Sequence, residues 1–364
     1  MPSTCIRRAS CTRVRQALAS ESIDLLQQMA RRWARDRFAV ARLQIETDWT
    51  ADMPRTVLQD MCTQGWLPST TEELRDWSPL TIGRLGQALG REAPAVFVLI
   101  LTHVLALTLS AGADFPEGSS DDMPFLLATS PYWNFSKVAS PLCLEKVNGE
   151  WTLNGQLPLV INGKGANWLL VPARTLTGDR AICRVSVAER GVVQSAPIPL
   201  MGLRGAAARN VELTSVTVTR QNLICDGVRA QAIVDEAYFS ATWGVVGLLA
   251  GLVSRACEQA RSYANLRVQG GRHIIDHLPV RRLIEAADSV KEQLNHWLDQ
   301  AGPAGNGMPV PLDAARKHAL MATDAALQVF GGSGYICPGE PERFWRDTRQ
   351  AATLFSVAAC PGDV

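Results

Sequence analysis

The period with which apolar positions recur changes twice along the chain. From 21 to 122, apolar residues return every three to four positions and the runs stop at glycines, which predicts helices. From 123 to 226, short β-rich runs alternate with turns, and two Asn-Gly pairs are typical of hairpins. Helical periodicity returns from 227 to 364 in longer runs. The pattern therefore predicts an α+β protein with an N-terminal α-helical domain, a middle β domain and a C-terminal block of four helices.

Three further stretches fall outside this pattern. Residues 1–20 contain arginines and serines but no acid, which predicts either a disordered N-terminus or a transit peptide. The apolar stretches 95–109 and 243–253 are both shorter than the roughly 20 residues that a membrane span needs. We expect both to be buried helices and predict no membrane partner.

Composition and charge narrow the class of protein. The chain is 47% hydrophobic and 20% charged, with a net charge of +1 and both signs mixed throughout. This balance is ordinary for a globular protein and argues against a nucleic-acid partner. Nine scattered cysteines without a Cys-x-x-Cys pair predict reduced thiols in a cytoplasmic protein.

A glycine turn near the C-terminus raises the question of a ligand. The stretch ALQVFGGSGY, 326–335, is a helical run that stops at glycines. Glycine lets the backbone approach another group because no Cβ intervenes, and successive backbone N–H groups can bind an anion. Alone, the stretch is equally typical of a plain helix C-cap.

Four segments together resemble one known family. They are WTLNGQLPLVINGKGANWLLVPART (151–175), MGLRGAAARNVEL (201–213), SYANLRVQGGRHIIDHLPVRRLIEAADS (262–289) and the run from ALQVFGGSGY to FWRDTR (326–349). In this order, on a helix–sheet–helix frame, they resemble the acyl-CoA dehydrogenase family. The resemblance implies a middle antiparallel β-barrel or sandwich and a C-terminal four-helix bundle. It also implies FAD as the cofactor, and oxidation of an acyl-CoA or acyl-carrier-protein thioester in a homo- or hetero-oligomer, a dimer or tetramer.

In that family the cofactor lies across a subunit boundary, so two half-sites can be compared. The half that reaches the neighbour's FAD is matched here by Arg267, Gln328, Gly331, Gly332 and Gly334. A guanidinium can bond a phosphate through two N–H groups. Arg346 and Asp347 follow in register, whereas the aromatic residue usual three positions after the arginine is Gly270.

The half that serves the chain's own active site departs from the family pattern. The family's Thr-Glu-Pro-x-x-Gly-Ser-Asp loop contacts the flavin and orders the thioester, and it begins at Thr129 here, so the resemblance implies that Thr129 binds the cofactor. The small residues of the loop are replaced by Tyr132, Trp133 and Phe135. Such rings either fill the flavin volume or stack on a flavin. Where the family has Trp-x-Thr, this chain has Leu159 and Ile161.

The resemblance also locates the catalytic base, and the chain has none at either family position. Those positions are occupied by Phe355 and Ala241, which cannot accept a proton. A helix slip that brings Glu236 nearer is the alternative. We predict no catalytic residue and no metal site, since His273 and His277 have no third ligand.

Three functions remain open from the sequence. The first is a non-catalytic subunit that completes the FAD site of a catalytic paralogue. The second is an active FAD-dependent oxidoreductase of altered chemistry on an acyl thioester. The third is a structural protein that retains only the fold.

Overall fold

The structure of the protein is a computed structural model. It describes residues 23–38, 60–61, 64–68, 70–111, 113, 127–131, 142–147, 149–162, 165–301 and 312–355. The N-terminal stretch 1–20 and the loop with Tyr132, Trp133 and Phe135 lie outside these residues.

The N-terminal part of the described chain is helical, as predicted. Its helices are α1 (Ile23–Phe38), α2 (Thr71–Leu74), α3 (Pro79–Glu92) and α4 (Pro94–Leu109). Ser78 caps α3, because its hydroxyl accepts a hydrogen bond from the N–H of Thr81 at 3.1 Å and Pro79 occupies the first turn. Helix α4 is apolar on all sides and almost wholly buried, which confirms that the 95–109 stretch is a core helix.

The middle part forms one sheet. Its strands are β1 (Leu127–Ala128), β2 (Leu142–Val147), β3 (Glu150–Val160), β4 (Trp168–Thr175), β5 (Arg180–Ser186), β6 (Val192–Gln194), β7 (Arg209–Val218) and β8 (Leu223–Asp226). The order is β6-β7-β3-β2-β4-β5-β8, with β1 beside β4. The pairs β1–β4 and β2–β4 are parallel and the other pairs in the sheet are antiparallel. The sheet is therefore mixed rather than purely antiparallel, and its apolar cluster is separate from that of the helices.

The C-terminal part contains the four predicted long helices. They are α5 (Gly227–Leu266), α6 (Leu278–Asp299), α7 (Leu312–Val329) and α8 (Glu340–Ala351), with a small hairpin of β9 (Val268–Gln269) and β10 (Arg272–His273) between α5 and α6. Helix α5 is long and apolar enough to cross a membrane, but 78% of its most apolar window is buried inside the protein, as in the core helix of a globular protein.

Helices α3 and α5 cross at backbone contact through glycines. A Cβ built on Gly247 would lie 1.9 Å from the carbonyl oxygen of Gly83, and one on Gly251 would lie 2.4 Å from that of Gln87. A Cβ on Gly90 would likewise lie 2.7 Å from the oxygen of Leu248. Since real Cβ atoms do not tolerate such distances, glycine is required where the two helices cross. This crossing joins the N-terminal helices to the C-terminal bundle.

A second joint connects the β domain to α8. The carboxylate of Asp347 accepts the backbone N–H of Leu203 at 2.6 Å, and Arg346 donates to the carbonyl of Met201 at 2.7 Å. Gly202 lies so close to α8 that a Cβ there would come within 2.3 Å of the Arg346 carbonyl oxygen. The segment before β7 is thus fixed against the last helix.

Candidate functional site

Arg267 lies at the end of the long helix α5, with its side chain exposed. Its backbone N–H still donates to Tyr263 and its carbonyl accepts from Ile274, so the main chain is held in place. The guanidinium makes no hydrogen bond or ion pair with any residue that the structure describes. An arginine whose backbone is fixed and whose guanidinium N–H groups have no described partner is suited to bind a phosphate or carboxylate from outside the chain.

The glycine turn packs against the same end of α5. Residues Gly331–Tyr335 form a short 3-10 turn after α7. The ring of Tyr263, one helical turn before Arg267, stacks on Phe330 with centroids 4.7 Å apart, and the hydroxyls of Tyr263 and Ser333 lie 3.4 Å apart. The structure therefore brings the predicted arginine and the predicted turn to one surface. Gln328 is exposed at the end of α7.

The reason why glycine occupies each of the three positions in the turn differs from one to the next. Gly331 has a φ of +56°, which favours glycine by itself. A Cβ on Gly334 would lie 2.9 Å from the Cβ of Phe330, so the close packing of the turn on α7 requires a glycine there. Gly332 has neither reason, because its φ is not in the left-handed region and an added Cβ would meet nothing within 4 Å. Of the three glycines, Gly332 is therefore the one that the fold does not require, and a bound ligand could account for it.

Arg346 and Asp347 do not belong to this surface. Asp347 is almost fully buried and bonded to Leu203, while Arg346 forms two hydrogen bonds with Glu342, at 2.5 and 3.2 Å. Burial raises the pKa of the Glu342 carboxyl, but the hydrogen bonds and charge of Arg346 outweigh burial and hold that pKa below its usual value. Arg346 and Asp347 match the family's motif in the sequence, but in the structure they bond to other parts of the fold.

The residues of the chain's own half-site are brought together by backbone groups. Ser130 donates its hydroxyl to the carbonyl of Pro158 at 2.5 Å, which places the start of the Thr129 loop beside Leu159. The N–H of Phe355 donates to the carbonyl of Pro131 at 2.8 Å. Thr129 is fully buried, and its hydroxyl donates to the carbonyl of Leu170 at 2.9 Å. The proton of that hydroxyl is already used within the chain.

Apolar side chains occupy both positions at which the resemblance predicts a catalytic base. Phe355 is 1% exposed and Ala241 is 0% exposed, and both belong to the helical core, as does Ile161. Glu236 is exposed on α5, which runs from Gly227 to Leu266 as one helix. The predicted alternative, a slip that brings Glu236 to the site, therefore has no support in the helix geometry.

The histidine pair is a weak candidate for a metal site, and Cys257 is a weak candidate for a nucleophile. His273 ends β10 and His277 precedes α6, and no group of three or more metal-binding side chains occurs among the residues that the structure describes. Burial, with a contribution from Asp288, raises the pKa of Cys257 to about 12, so this thiol is protonated at neutral pH and is a poor nucleophile.

The residues present fit one part of FAD better than the other. The exposed Arg267 and the open space at Gly332 suit a diphosphate. No polar group is offered to a reacting thioester by Phe355 or Ala241, which are buried and apolar. The hydroxyl of Thr129 already donates to the carbonyl of Leu170. Sequence reasoning did not single out Arg281 and Arg282, which lie exposed near the same corner; the signal was the excess of arginine over acid from 267 to 282.

Comparison with known proteins agrees with this fold and this C-terminal region. Residues 241–354 match the model of the acyl-CoA dehydrogenase C-terminal domain. A 3-sulfinopropanoyl-CoA desulfinase of Cupriavidus necator is 26% identical over 257 residues, a match that spans 66% of this chain and 64% of that protein, just under two thirds of its length.

Two solved structures share the fold at low sequence identity. A glutaryl-CoA dehydrogenase from Mycobacterium smegmatis in complex with FADH2 has a TM-score of 0.75 at 14% identity, over 92% of this chain and 91% of the other. The prolyl acyl carrier protein oxidase AnaB has a TM-score of 0.72 at 19% identity, over 89% of this chain and 93% of the other. The chain therefore has the fold of these acyl-CoA dehydrogenase-like structures, and its residues 241–354 match the C-terminal domain of the acyl-CoA dehydrogenases.

Proposed function

We propose that this chain is a non-catalytic subunit of an acyl thioester dehydrogenase complex. In this proposal, Arg267, Gln328 and the turn at Gly331, Gly332 and Gly334 complete the FAD site of a catalytic paralogue. The substrate of the complex is an acyl-CoA or acyl-carrier-protein thioester. The observation that carries the proposal is a contrast between Arg267, which is exposed and has no partner among the described residues, and Phe355, which is buried where the resemblance predicts a base.

The chain's own residues act on position and charge. The guanidinium of Arg267 binds phosphate oxygens through two N–H groups, and the backbone at Gly332 approaches them closely. The backbone hydrogen bonds to Tyr263 and Ile274 fix the main chain of Arg267, so its exposed side chain starts from a defined point on the surface. When bound, FAD supplies the hydride acceptor for oxidation of the thioester, and the base comes from the paralogue.

The absence of a base limits what the chain can do alone. A positioned general base contributes a factor of roughly 10²–10⁴ to proton abstraction. Neither Phe355 nor Ala241 can act in this way, and the exposed Glu236 lies elsewhere on α5. A lone chain is therefore expected to turn over an ordinary acyl-CoA slowly or not at all.

A second function is favoured by the names of the relatives. One relative is a desulfinase and one structural neighbour is an oxidase that acts on a carrier protein, so the family includes reactions other than acyl-CoA dehydrogenation. On this alternative, the chain binds its own FAD and performs altered chemistry with another base or with none. The third possibility, a fold-only structural protein, has no observation in its favour beyond the missing base.

The test uses the full chain, purified alone and co-expressed with each acyl-CoA dehydrogenase paralogue of its genome. We expect a colourless lone chain and a complex that retains flavin absorbance. Arg267→Ala should lose flavin from the complex, whereas Arg190→Ala, an exposed arginine on the β domain, should not. A lone chain that purifies with stoichiometric FAD would support the second function and contradict the first.

A further inference from the structure

The corner between α5 and α6 concentrates positive charge on a chain that is otherwise balanced. Between 267 and 282 there are four arginines and a single acid, Asp276, while the whole chain has a net charge of +1. All four arginines are exposed. We call this surface the arginine corner; it consists of Arg267, Arg272, Arg281 and Arg282.

The arginine corner has few partners of its own. Arg267, Arg281 and Arg282 make no side-chain hydrogen bond or ion pair with any part of the chain that the structure describes. Arg272 contacts only Nδ1 of His277, at 3.3 Å. Nε2 of His277 must donate its hydrogen to the carbonyl of Gln269, at 3.0 Å, so Nδ1 accepts from Arg272. His277 thus holds the hairpin onto the start of α6 without neutralising any charge.

Two of these arginines are placed against the chain's own stability. Arg281 ends the first turn of α6 and Arg282 follows it, and the first turn contains no acid. Cations near a helix N-terminus face the positive end of the helix dipole, which is unfavourable. His277, the N-cap residue, makes no side-chain capping bond. The arginines and the helix end therefore add to one positive potential, against which the stretch 267–282 has the single acid Asp276.

Large apolar side chains surround the arginine corner. Leu266, Val268 and Leu278 are 77%, 53% and 52% exposed. Exposed leucines beside unpaired arginines resemble the composition of protein interfaces, in which arginine and large apolar residues are enriched. A purely solvated charged face would not need three apolar side chains within thirteen residues.

We propose that the arginine corner docks on a carboxylate-rich surface of the catalytic paralogue, next to the diphosphate that Arg267 binds. This inference rests on the proposed function and adds the chemistry of the partner's surface to it. In the proposed complex, Arg267 binds the diphosphate, which leaves the other arginines of the corner available to acids of the partner. Complementary charge also speeds encounter and discourages partners that lack the acids.

The test compares two double charge reversals in the full chain. Arg281→Glu with Arg282→Glu reverses the corner but leaves Arg267 intact. Arg190→Glu with Arg220→Glu makes the same change of net charge at exposed arginines of the β domain. Each is co-expressed with the acyl-CoA dehydrogenase paralogues of the same genome, and assembly is measured by light scattering on a sizing column and by titration at several salt concentrations.

We expect the corner reversal to raise the Kd for the paralogue about tenfold or more and to reduce its salt dependence. The β-domain reversal should leave both unchanged. The corner reversal should also leave the lone chain at least as stable to heat as the natural chain, because acids at a helix N-terminus are favourable. Loss of assembly in a chain of undiminished stability separates docking from a structural role.

The contrary outcomes are distinct. If the corner reversal assembles as tightly as the natural chain and still retains FAD, this inference is wrong and the proposed function stands. If the lone natural chain forms an oligomer that the corner reversal abolishes, the occupant is a second copy, which also overturns the inference. If no paralogue assembles with the natural chain, the proposed function itself fails, and the inference fails with it.

Discussion

The backbone N–H of Phe355 donates to the carbonyl of Pro131, and this bond joins the segment after α8 to the loop that follows β1. Phe355 has a φ of +54° and is almost completely buried. A non-glycine residue in the left-handed region is held there by its surroundings, here by core packing and the bond to Pro131. At one of the two positions where the resemblance predicts a catalytic base, this chain has a buried residue that holds the fold together.

Replacement of Phe355 should therefore reduce stability. Phe355→Ala should lower the free energy of unfolding by about 3–5 kcal/mol, the usual cost of removing a buried phenylalanine. Phe355→Glu should be at least as destabilising, because it buries a carboxyl with no designed partner. Denaturant titration measures both.

Phe355→Glu also tests the function of the chain. We expect no acyl-CoA dehydrogenase activity from this variant alone. The Thr129 hydroxyl, already bonded to the Leu170 carbonyl, and the apolar Ile161 would still line the site. Turnover by the lone Phe355→Glu chain would show that only the base was missing and would favour the active-enzyme alternative.

Two glycines of the turn should separate folding from binding. Gly334→Ala should destabilise the chain by about 1–3 kcal/mol, because the new Cβ would clash with Phe330 and Leu327. Gly332→Ala should leave the thermal midpoint unchanged, since its Cβ meets open space, and should weaken retention of FAD in the complex. If Gly332→Ala keeps FAD as well as the natural chain, the turn is only a helix cap.

His103 should make stability depend on pH below neutrality. Burial lowers its pKa, and its ring links Pro68 to the N–H of Leu127, at 2.8 and 3.2 Å. Because the unfolded chain has the ordinary pKa of about 6.5, it binds the extra proton more readily than the folded chain. The contribution is complete above that pH and is lost as the pH falls below it. His103→Gln should flatten the decrease in unfolding free energy between pH 7 and pH 5; an unchanged slope would contradict the assignment.

Glu342 should affect stability in a lower pH window. Its pKa is depressed in the folded chain, so its pairing with Arg346 is fully stabilising above the unfolded pKa of about 4.3 and is lost as the pH falls through the folded value. Glu342→Gln should therefore be destabilising at pH 7 and progressively less so in acid. Glu340→Gln is the control, because Glu340 pairs with Arg255 nearer the surface and should cost little. Equal penalties for Glu342→Gln at pH 7 and in acid would argue against a depressed pKa.

The sequence predicts the order of elements well because each element has a local cause. The apolar run of α4, the capped start of α3 and the Asn-Gly turns act within a few residues. The parallel pairing of β2 with β4 has no such local signal, and the sheet was expected to be antiparallel. Strand neighbours depend on packing of the whole domain rather than on any turn.

The candidate site was predictable in part for a similar reason. Arg267 and the glycine turn were recognised by motif, and their common surface depends on Tyr263, which stacks on Phe330. Arg346 is in register with the same motif, but a motif match does not say where a side chain points. Its bonds to Glu342 and to the Met201 carbonyl require the β domain to be in place.

The contact of α3 with α5 has a consequence for how the chain is made. Gly83 and Gly247 are in contact through backbone atoms, so no residue with a side chain fits at Gly247. During synthesis, α3 emerges well before α5 and must wait with its apolar face uncovered. Packing between the two helical domains can therefore be completed only after the second half of the chain has been synthesised.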